Sequence, residues 1–530
     1  MRNMHSAKSR TIPWLIAILA IIAPQLSLAV NPPTVREPGV AGSFYPADPM
    51  VLGAMIDEML THASPPPITD PIFAVVAPHA GYQYSGPIAA YTYAALKGRK
   101  FSRVVVIAPS HYEAFDFTSV FDGDAYLTPL GTVQVDKAFA KRLVNMSPTI
   151  RLSSQGHIAT PKGAEHALEV ELPWLQRVLG DFLLVPIIMG DQSYESSRAL
   201  GMALARTIQG RDTLILASSD LSHYHPYDEA VKIDHKTLNA LQAWDYFSMS
   251  QNFEMRVWEA CGGAPIVAAM IAAEHMGANQ ALVLKYANSG DITDDHSRVV
   301  GYSAVALVKA PGSSAMKEPF TLSGHEKKEL LALARKSVEY AVRQGKAYEP
   351  SPSSNEILNQ EHGAFVTLKE SGELRGCIGY TSAVKPLYMI VRDTATLAAL
   401  RDPRFRPVSA SELPQLEYEI SVLSPFRRVT DIREIKVGLH GLLMKNGTYQ
   451  GILLPQVPVE ERWDRQRFLE ETCAKAGMQT GCWKDENTDI FMFSAVVFGE
   501  STPEAFMPDV PLTVGPATRP GVPVPGSPRQ

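Results

Sequence analysis

Histidine and aspartate side chains follow short apolar runs at three separate places in the chain. His79 stands in APHAGY, His111 in APSHY, and Asp220 and His223 in SSDLSH. A single histidine in such a position is commonly structural, but four such groups together favour a site. Two neutral imidazoles bind a divalent transition metal well, and a third, anionic ligand leaves coordination positions open. A further histidine can transfer protons near neutral pH.

A thiol or a carboxylate must complete such a ligand set, and the sequence contains both. Cys261 opens the segment CGGAPI and precedes an apolar stretch of helical length, where a helix N-terminus can stabilise a thiolate. The alternative is a buried, inert thiol. His166 and Glu169 are spaced to share one helix face, although Glu169 and Glu171 are also typical of a solvated helix start. Both possibilities for the anionic ligand remain open at this point.

The elements that must position these groups are short apolar, mostly β-branched runs that alternate with stretches of helical length. The runs are 72–77, 103–108, 182–189, 212–217 and 281–287, and the helical stretches include 86–97, 195–209 and 263–277. This alternation predicts an α/β fold with a mainly parallel sheet flanked by helices. Because ligands bind beyond the carboxyl ends of such strands, we expect the polar groups at one edge of the sheet.

The second half of the chain has a different pattern, in which helices are followed by hairpins. The segment 363–380 predicts two strands around Ser371-Gly372, and Asn446-Gly447 marks another two-residue turn. Helical periodicity covers 325–344 and 464–476, and a closing strand covers 489–498. These elements predict an α+β domain.

Two pairs of residues in this second half are candidates for chemistry. Glycines flank Cys377 in LRGCIG, which suggests a bulge or the close approach of a backbone or ligand, so that Arg375 and Cys377 could line a groove. The alternative is a tight hairpin with the cysteine packed inside. Cys473 and Cys482 lie nine positions apart, and whether they form a disulfide is left open because neither flank determines their geometry.

Length, composition and net charge exclude some classes of protein. The chain has 530 residues, a formal net charge of −6 and 45% hydrophobic residues, which excludes disorder over most of its length and suits two or three domains. A mildly acidic chain without a long basic run is not expected to bind nucleic acid. Small residues, Pro and Gly predict a linker at 310–324 and a flexible tail at 508–530.

The N-terminus has the pattern of a secretory signal peptide. Basic residues precede an apolar run at 12–23, and small residues at the cleavage positions predict removal of residues 1–29. We therefore expect export to the periplasm or the extracellular space, with no stable membrane span after cleavage. The alternative is an uncleaved N-terminal anchor.

Six segments in the first half of the chain resemble the Memo-like family. They are VREPGVAGSFYP (35–46), APHAGYQYSG (77–86), APSHY (108–112), EHALEVELPWL (165–175), SSDLSHY (218–224) and CGGAPI (261–266), in the family's order. The resemblance covers residues 35–309 and implies a fold similar to class III extradiol dioxygenases.

The same resemblance implies a metal site. Members of the family bind iron or copper through two histidines and a cysteine, which here are His79, His111 and Cys261. Three further residues of the site are implied to act beside the metal: Asp220, His223 and His166. True extradiol enzymes have a carboxylate where this chain has the thiol.

Residues 325–507 resemble the AMMECR-type domain, through segments that include 363–380, 402–425 and 439–477. Fused Memo-like and AMMECR-type domains are similar to proteins B and A of the AmmeMemoRadiSam system. That resemblance implies a radical S-adenosylmethionine protein as a partner, beside an unknown small-molecule or peptide substrate.

Three functions are compatible with these residues. The first is a metal-dependent redox enzyme in which His223, oriented by Asp220, moves protons. The second is a non-catalytic binding or scaffold module that uses the same pocket. The third is a metal-dependent hydrolase in which Asp220 or Glu165 activates a bound water.

Overall fold

The computed structural model describes residues 34–210, 212–310 and 321–500. The predicted signal peptide (1–29) and tail (508–530) lie outside these residues, as does most of the predicted linker. No helix within the described residues is both long enough and apolar enough to cross a membrane. Two large sheets divide the described chain into a first region, residues 34–310, and a second region, residues 321–500.

Strands of the first region form one large and one small sheet. In chain order they are β1 (Val35–Arg36), β2 (Ile72–Ala77), β3 (Arg103–Pro109), β4 (Thr118–Val120), β5 (Ala125–Thr128), β6 (Gly131–Gln134), β7 (Ile150–Leu152), β8 (Leu183–Met189), β9 (Thr213–Ser218), β10 (His223–His225), β11 (Gln280–Asn288) and β12 (Val299–Val308). The described strands of the large sheet run in the order β10-β12-β2-β9-β3-β8-β4-β7, and β11 pairs with β12. The small sheet has the order β1-β5-β6.

The large sheet is parallel at its centre and mixed at its edges. β2, β9, β3 and β8 are parallel to one another, whereas β12 is antiparallel to β2, β10 and β11, and β4 is antiparallel to β8. Only residues 289–298 separate β11 from β12, which is shorter than the crossover that a parallel pair needs. The prediction of a mainly parallel sheet is therefore correct for the centre and wrong for these outer strands.

Helices cover both faces of this sheet. They are α1 (Pro49–His62), α2 (Tyr82–Leu96), α3 (Lys137–Val144), α4 (Leu172–Leu179), α5 (Tyr194–Thr207), α6 (Tyr227–Ala243), α7 (Tyr246–Glu254), α8 (Gly263–Met276) and α9 (Ser289–Thr293). Successive strand residues point to opposite layers: Val104 and Val106 pack with α2 and α4, while Val105 and Ile107 pack with α5 and α8. The sheet is thus buried on both faces.

The second region is built on an antiparallel sheet. Its strands are β13 (Ala364–Glu370), β14 (Glu373–Tyr380), β15 (Leu416–Leu423), β16 (Arg427–Arg428), β17 (His440–Asn446), β18 (Tyr449–Leu453) and β19 (Asp489–Gly499), and its helices are α10 (Gly324–Gln344), α11 (Leu387–Leu400), α12 (Val457–Glu460) and α13 (Arg465–Lys475). The described strands have the order β14-β13-β15-β19-β17-β18, and β16 pairs with β19.

The turn at 371–372 and the helices of the second region lie where the sequence predicts them. The turn predicted at Asn446-Gly447 lies one residue later, at 447–448, because Asn446 pairs with Tyr449. Ser371 and Gly372 have φ of 55° and 83°, the left-handed conformation that a two-residue hairpin turn requires. α10 and α11 pack on the sheet around Val366, Leu368 and Ile420, and a smaller core lies under α13. The helix and strand predicted at 325–344 and 489–498 are α10 and β19.

Candidate metal site

His79 follows the end of β2 and is buried, with one ring nitrogen held by a hydroxyl group. Its Nδ1 lies 2.8 Å from Ser218 Oγ at the end of β9. Ser218 has a single hydroxyl hydrogen. That hydrogen is directed at two acceptors, Glu171 Oε1 at 2.7 Å and the Ala167 carbonyl oxygen at 2.6 Å. The hydroxyl therefore accepts from His79, so Nδ1 carries the hydrogen and Nε2 presents its lone pair to the site.

A buried carboxyl group, that of Glu171, accepts a hydrogen bond from this serine. Glu171 is 1% exposed and accepts hydrogen bonds from Ser218 and, on its other oxygen, from Tyr93. Burial raises the pKa of Glu171 to about 8, although both of these hydrogen bonds lower it. The chain of contacts from Tyr93 through Glu171 and Ser218 holds the ring of His79 in one orientation.

His111, which follows β3, is held in the same way by a carboxylate. Its Nδ1 lies 2.9 Å from Glu165 Oε1, and its backbone N–H donates to Glu165 Oε2 at 2.6 Å. Burial opposes ionisation, but the hydrogen bonds from His111 and from the Ala167 backbone keep the pKa of Glu165 below its usual range. Because an ionised carboxylate only accepts hydrogen bonds, Nδ1 carries the hydrogen and Nε2 is available as a ligand.

The Cys261 thiol meets these two rings. Its Sγ lies 3.1 Å from His79 Nε2 and accepts a hydrogen bond from the Asp220 backbone N–H at 3.3 Å. Ligand atoms of His79, His111 and Cys261 lie within 4.8 Å of one another. The thiol precedes α8, but burial and the negative charge of Asp220 raise its pKa. These two effects outweigh the stabilisation of a thiolate that the helix N-terminus was expected to give.

Asp220 and His223 lie beside this group but do not pair with each other. Asp220 Oδ1 accepts the His79 backbone N–H at 2.8 Å, and its Oδ2 lies 4.0 Å from His79 Nε2. Burial raises the pKa of Asp220 to about 7, against hydrogen bonds from the His79 and Ala80 backbone that lower it. His223 instead makes a hydrogen bond to the Leu221 backbone. The prediction that Asp220 orients His223 is therefore wrong.

His166 forms one wall of the site. Its ring stacks on His111 with centroids 4.7 Å apart and meets His79 edge-on at 5.4 Å. Its Nδ1 is buried without a hydrogen-bond partner among the described residues and lies 3.7 Å from Glu165 Oε1. Burial lowers the pKa of His166 to about 4. The sequence prediction of His166 beside the two other histidines agrees with this geometry.

Most of the first region matches one protein family. The family model described as Memo-like protein matches residues 36–306, just over half of the chain. This chain belongs to the Memo-like family. A second family model, AMMECR1, matches residues 331–498. A Memo-like part is therefore followed by an AMMECR1 part, as the motifs predict.

Known relatives match part of this chain over almost their whole own length. A MEMO1 family protein of Methanopyrus kandleri is 38% identical over 285 residues, which are 51% of this chain and 98% of that protein. A Nanoarchaeum equitans protein is 42% identical over 178 residues, which are 32% of this chain and 98% of that protein. The crystal structure of an uncharacterised Pyrococcus horikoshii protein shares 39% identity, covers 35% of this chain and 96% of its own, and has a TM-score of 0.34.

The Memo-like part also buries an ion pair that the sequence did not indicate. Glu169 is 1% exposed and accepts hydrogen bonds from Arg36, Tyr45 and two backbone N–H groups. Glu169 is thus neither part of a solvated helix start nor directed at His79, His111 and Cys261, and Glu171 is equally buried. Arg36 also donates to the Glu165 carbonyl at 2.7 Å, so the pair anchors the segment that holds His111.

The residues of the candidate groove in the AMMECR1 part contact other side chains of the same part. Arg375 pairs with Glu412 at 2.8 Å, and the half-buried Cys377 thiol accepts from Thr367 Oγ1 at 3.3 Å. Gly376 is required because a Cβ there would lie 2.3 Å from the Ala398 carbonyl of α11. The close approach is therefore to a backbone, and a ligand groove at these residues stays a prediction.

The other two cysteines of the AMMECR1 part are bonded to each other. Cys473 on α13 and Cys482 form a disulfide with a Cα separation of 5.8 Å. The free cysteines of the described residues are Cys261 and Cys377. The pairing that the sequence left open is therefore present in the structure.

Proposed function

We propose that the Memo-like part binds one transition-metal ion, iron or copper, through His79, His111 and Cys261. The observation that carries the proposal is the convergence of these donors within 4.8 Å of one another, with the far nitrogen of each imidazole held by a buried partner. Ser218 and Glu165 are those partners. Metal-binding histidines are typically oriented through their second nitrogen in this way.

The donor set suits such an ion. Nitrogen and sulfur ligands at roughly 2.0–2.3 Å from one ion stand about 3–4.5 Å from each other, and His79 Nε2 and Cys261 Sγ are 3.1 Å apart. Imidazole with thiolate favours copper or iron over hard, oxygen-binding cations. The raised pKa of the Cys261 thiol is compatible with this role, because binding a metal releases the thiol proton.

The reaction class we propose is oxidative and similar to that of class III extradiol dioxygenases, whose fold the family resembles. When bound, the metal supplies a redox-active centre with open coordination positions. Beside it, His223 and His166 accept or donate protons, and Asp220 holds the His79 backbone. Pure recognition of a ligand requires no such proton-transfer groups. Among the three candidate functions we therefore rank a binding or scaffold module second, and we rank a hydrolase third.

We also propose that the protein acts after export. The N-terminal sequence pattern supports export, and so does the disulfide, since disulfides persist in oxidising compartments. The alternative is a role inside the cell as an AmmeMemoRadiSam-type component. A radical S-adenosylmethionine partner needs a reducing compartment for its iron–sulfur cluster, so an exported protein would not share a compartment with that partner. A reporter fused to residues 1–40 tests this: a reporter retained in the cytoplasm favours the partnership.

The test of the metal site is elemental analysis of residues 30–530 purified without added metal. We expect near-stoichiometric iron or copper, which His79→Ala and Cys261→Ser both lose. His62→Ala and Cys377→Ser are matched controls outside the site and keep the metal. Absence of any transition metal after reconstitution contradicts the proposal and favours the binding module. Metal that remains in full in Cys261→Ser contradicts the ligand assignment.

A further inference from the structure

The second region rests on one continuous face of the first, formed by α5, α7 and α8. Phe247 of α7 contacts Phe426 and Phe491, with ring centroids 5.8 and 4.7 Å apart. Phe491 also meets Tyr246 edge-on at 6.1 Å. Phe426, Phe491 and other apolar residues of the second region belong to the same buried cluster as the layer of α5 and α8. An apolar core therefore crosses from one region to the other.

Buried charges are paired across the same face. Asp489 of β19 accepts from the Tyr194 hydroxyl at 2.8 Å and from Arg198 Nε at 2.5 Å. Arg428 of β16 lies 3.5 Å from Asp489 and 4.0 Å from Glu274 of α8. Asp489 is 3% exposed, so this network is shielded from solvent. Arg198 and Glu274 belong to the first region, and their partners Asp489 and Arg428 to the second.

Polar contacts surround this centre. Lys445 pairs with Glu195 of α5 at 2.7 Å, and Lys236 of α6 pairs with Glu361 at 2.7 Å. The Phe426 backbone N–H donates to Asp245, the residue before α7, at 3.2 Å. A buried apolar centre with paired charges and with partly exposed polar contacts is the anatomy of a specific interface between proteins.

Relatives of this chain include separate proteins that match only part of it. The Methanopyrus kandleri relative matches this chain over 98% of its own length but only 51% of ours, and the Nanoarchaeum equitans relative over 98% of its own and 32% of ours. We infer that the face formed by α5, α7 and α8 is a docking surface for an AMMECR1-type domain, and that the second region occupies it through non-covalent contacts that do not require the linker.

The test uses the full chain with a protease site placed within residues 311–320. After complete cleavage, we expect the two fragments to elute together at the volume of the intact chain, at micromolar concentration and also in high salt, because the centre of the contact is apolar. Native mass spectrometry confirms a one-to-one pair. Separate elution of the wild-type fragments overturns the inference.

A charge reversal on the first region locates the contact. Arg198→Glu places a carboxylate beside Asp489, and we expect it to weaken association of the cleaved fragments at least 10-fold. Arg177→Glu is the matched control, because Arg177 is half-exposed and pairs with Asp57, outside this face. Circular dichroism of each uncut variant verifies folding. Unchanged association in Arg198→Glu overturns the assignment of this face.

Discussion

The hydroxyl oxygen of Ser218 lies 2.8 Å from Nδ1 of His79. The same hydroxyl donates its hydrogen bond to the segment 167–171. One serine at the end of β9 thus sets the tautomer of a histidine at the end of β2. The two strands are parallel neighbours with Ala77 beside Ser218, so the sheet itself brings the two residues together.

Ser218→Ala removes the partner of His79 Nδ1 without touching a ligand atom. Loss of such an orienting contact typically costs 10–100-fold in metal affinity, and we expect a loss in that range, measured by competition with a chromophoric chelator. Ser337→Ala is the control, because Ser337 is a buried serine of α10 that donates to the Leu333 carbonyl, in the other region. Equal affinities of the two variants contradict the role given to Ser218.

Glu171→Gln tests the protonation of the buried carboxyl group. The folded-state pKa of Glu171 is about 8, above the ordinary value of 4.5, so the folded protein holds this proton more tightly than the unfolded chain. Its contribution to stability is complete below about pH 4.5 and is lost as the pH rises towards 8, at about 1.4 kcal/mol per pH unit. Glutamine does not titrate.

We therefore expect the free energy of unfolding of Glu171→Gln to rise relative to wild type between pH 5 and pH 8. Urea unfolding of the metal-free proteins at three pH values in this interval measures the difference. A difference that does not change with pH contradicts the raised pKa, since the other titrating groups are shared by both proteins.

Gly262→Ala tests how closely the turn that carries Cys261 approaches β9. An added Cβ would lie 2.2 Å from the Ser218 carbonyl oxygen and 2.7 Å from Ser219 Cβ. We expect a loss of about 1–3 kcal/mol in the free energy of unfolding, as overpacking produces. Gly53→Ala in α1 meets nothing within 4 Å and should instead gain about 0.5–1 kcal/mol. Similar effects at both positions would rule out the close approach.

The disulfide should stabilise the second region through the unfolded state. Cys473 and Cys482 are nine positions apart, and closing so short a loop contributes a little under about 3 kcal/mol in the chain-entropy model. We expect the double variant Cys473→Ala, Cys482→Ala to lower the free energy of unfolding by about this amount in urea. Cys377→Ser, which removes an unpaired cysteine, provides the comparison. No loss in the double variant argues against the bond.

The sequence alone predicted the features that have local signals. Apolar runs identified β2, β3, β8 and β9, and the polar residues after β2, β3 and β9 meet as the rule for parallel sheets requires. The short strands β4 to β7 were not predicted, because strands of three or four residues leave little periodicity to read. The antiparallel direction of β12 follows from the short connection 289–298, which the sequence prediction did not use.

Contacts between residues far apart in the sequence could not be predicted, for a different reason. Arg36 and Glu169 are separated by 133 positions, and nothing near either residue indicates that they meet. Glu171 and Ser218 were likewise seen only as parts of a helix start and a strand end. A buried carboxylate becomes recognisable only when its donors converge in three dimensions.

The three proposed metal donors are supported by different parts of the molecule. His79 and His111 extend from strands in the centre of a sheet that is buried on both faces, whereas the thiol sits in the connection between α7 and α8, the helices on which the second region rests. The second region therefore packs on the two helices that flank the thiol. If the proposed metal is bound, the cysteine is the donor whose supporting helices also carry the AMMECR1 part.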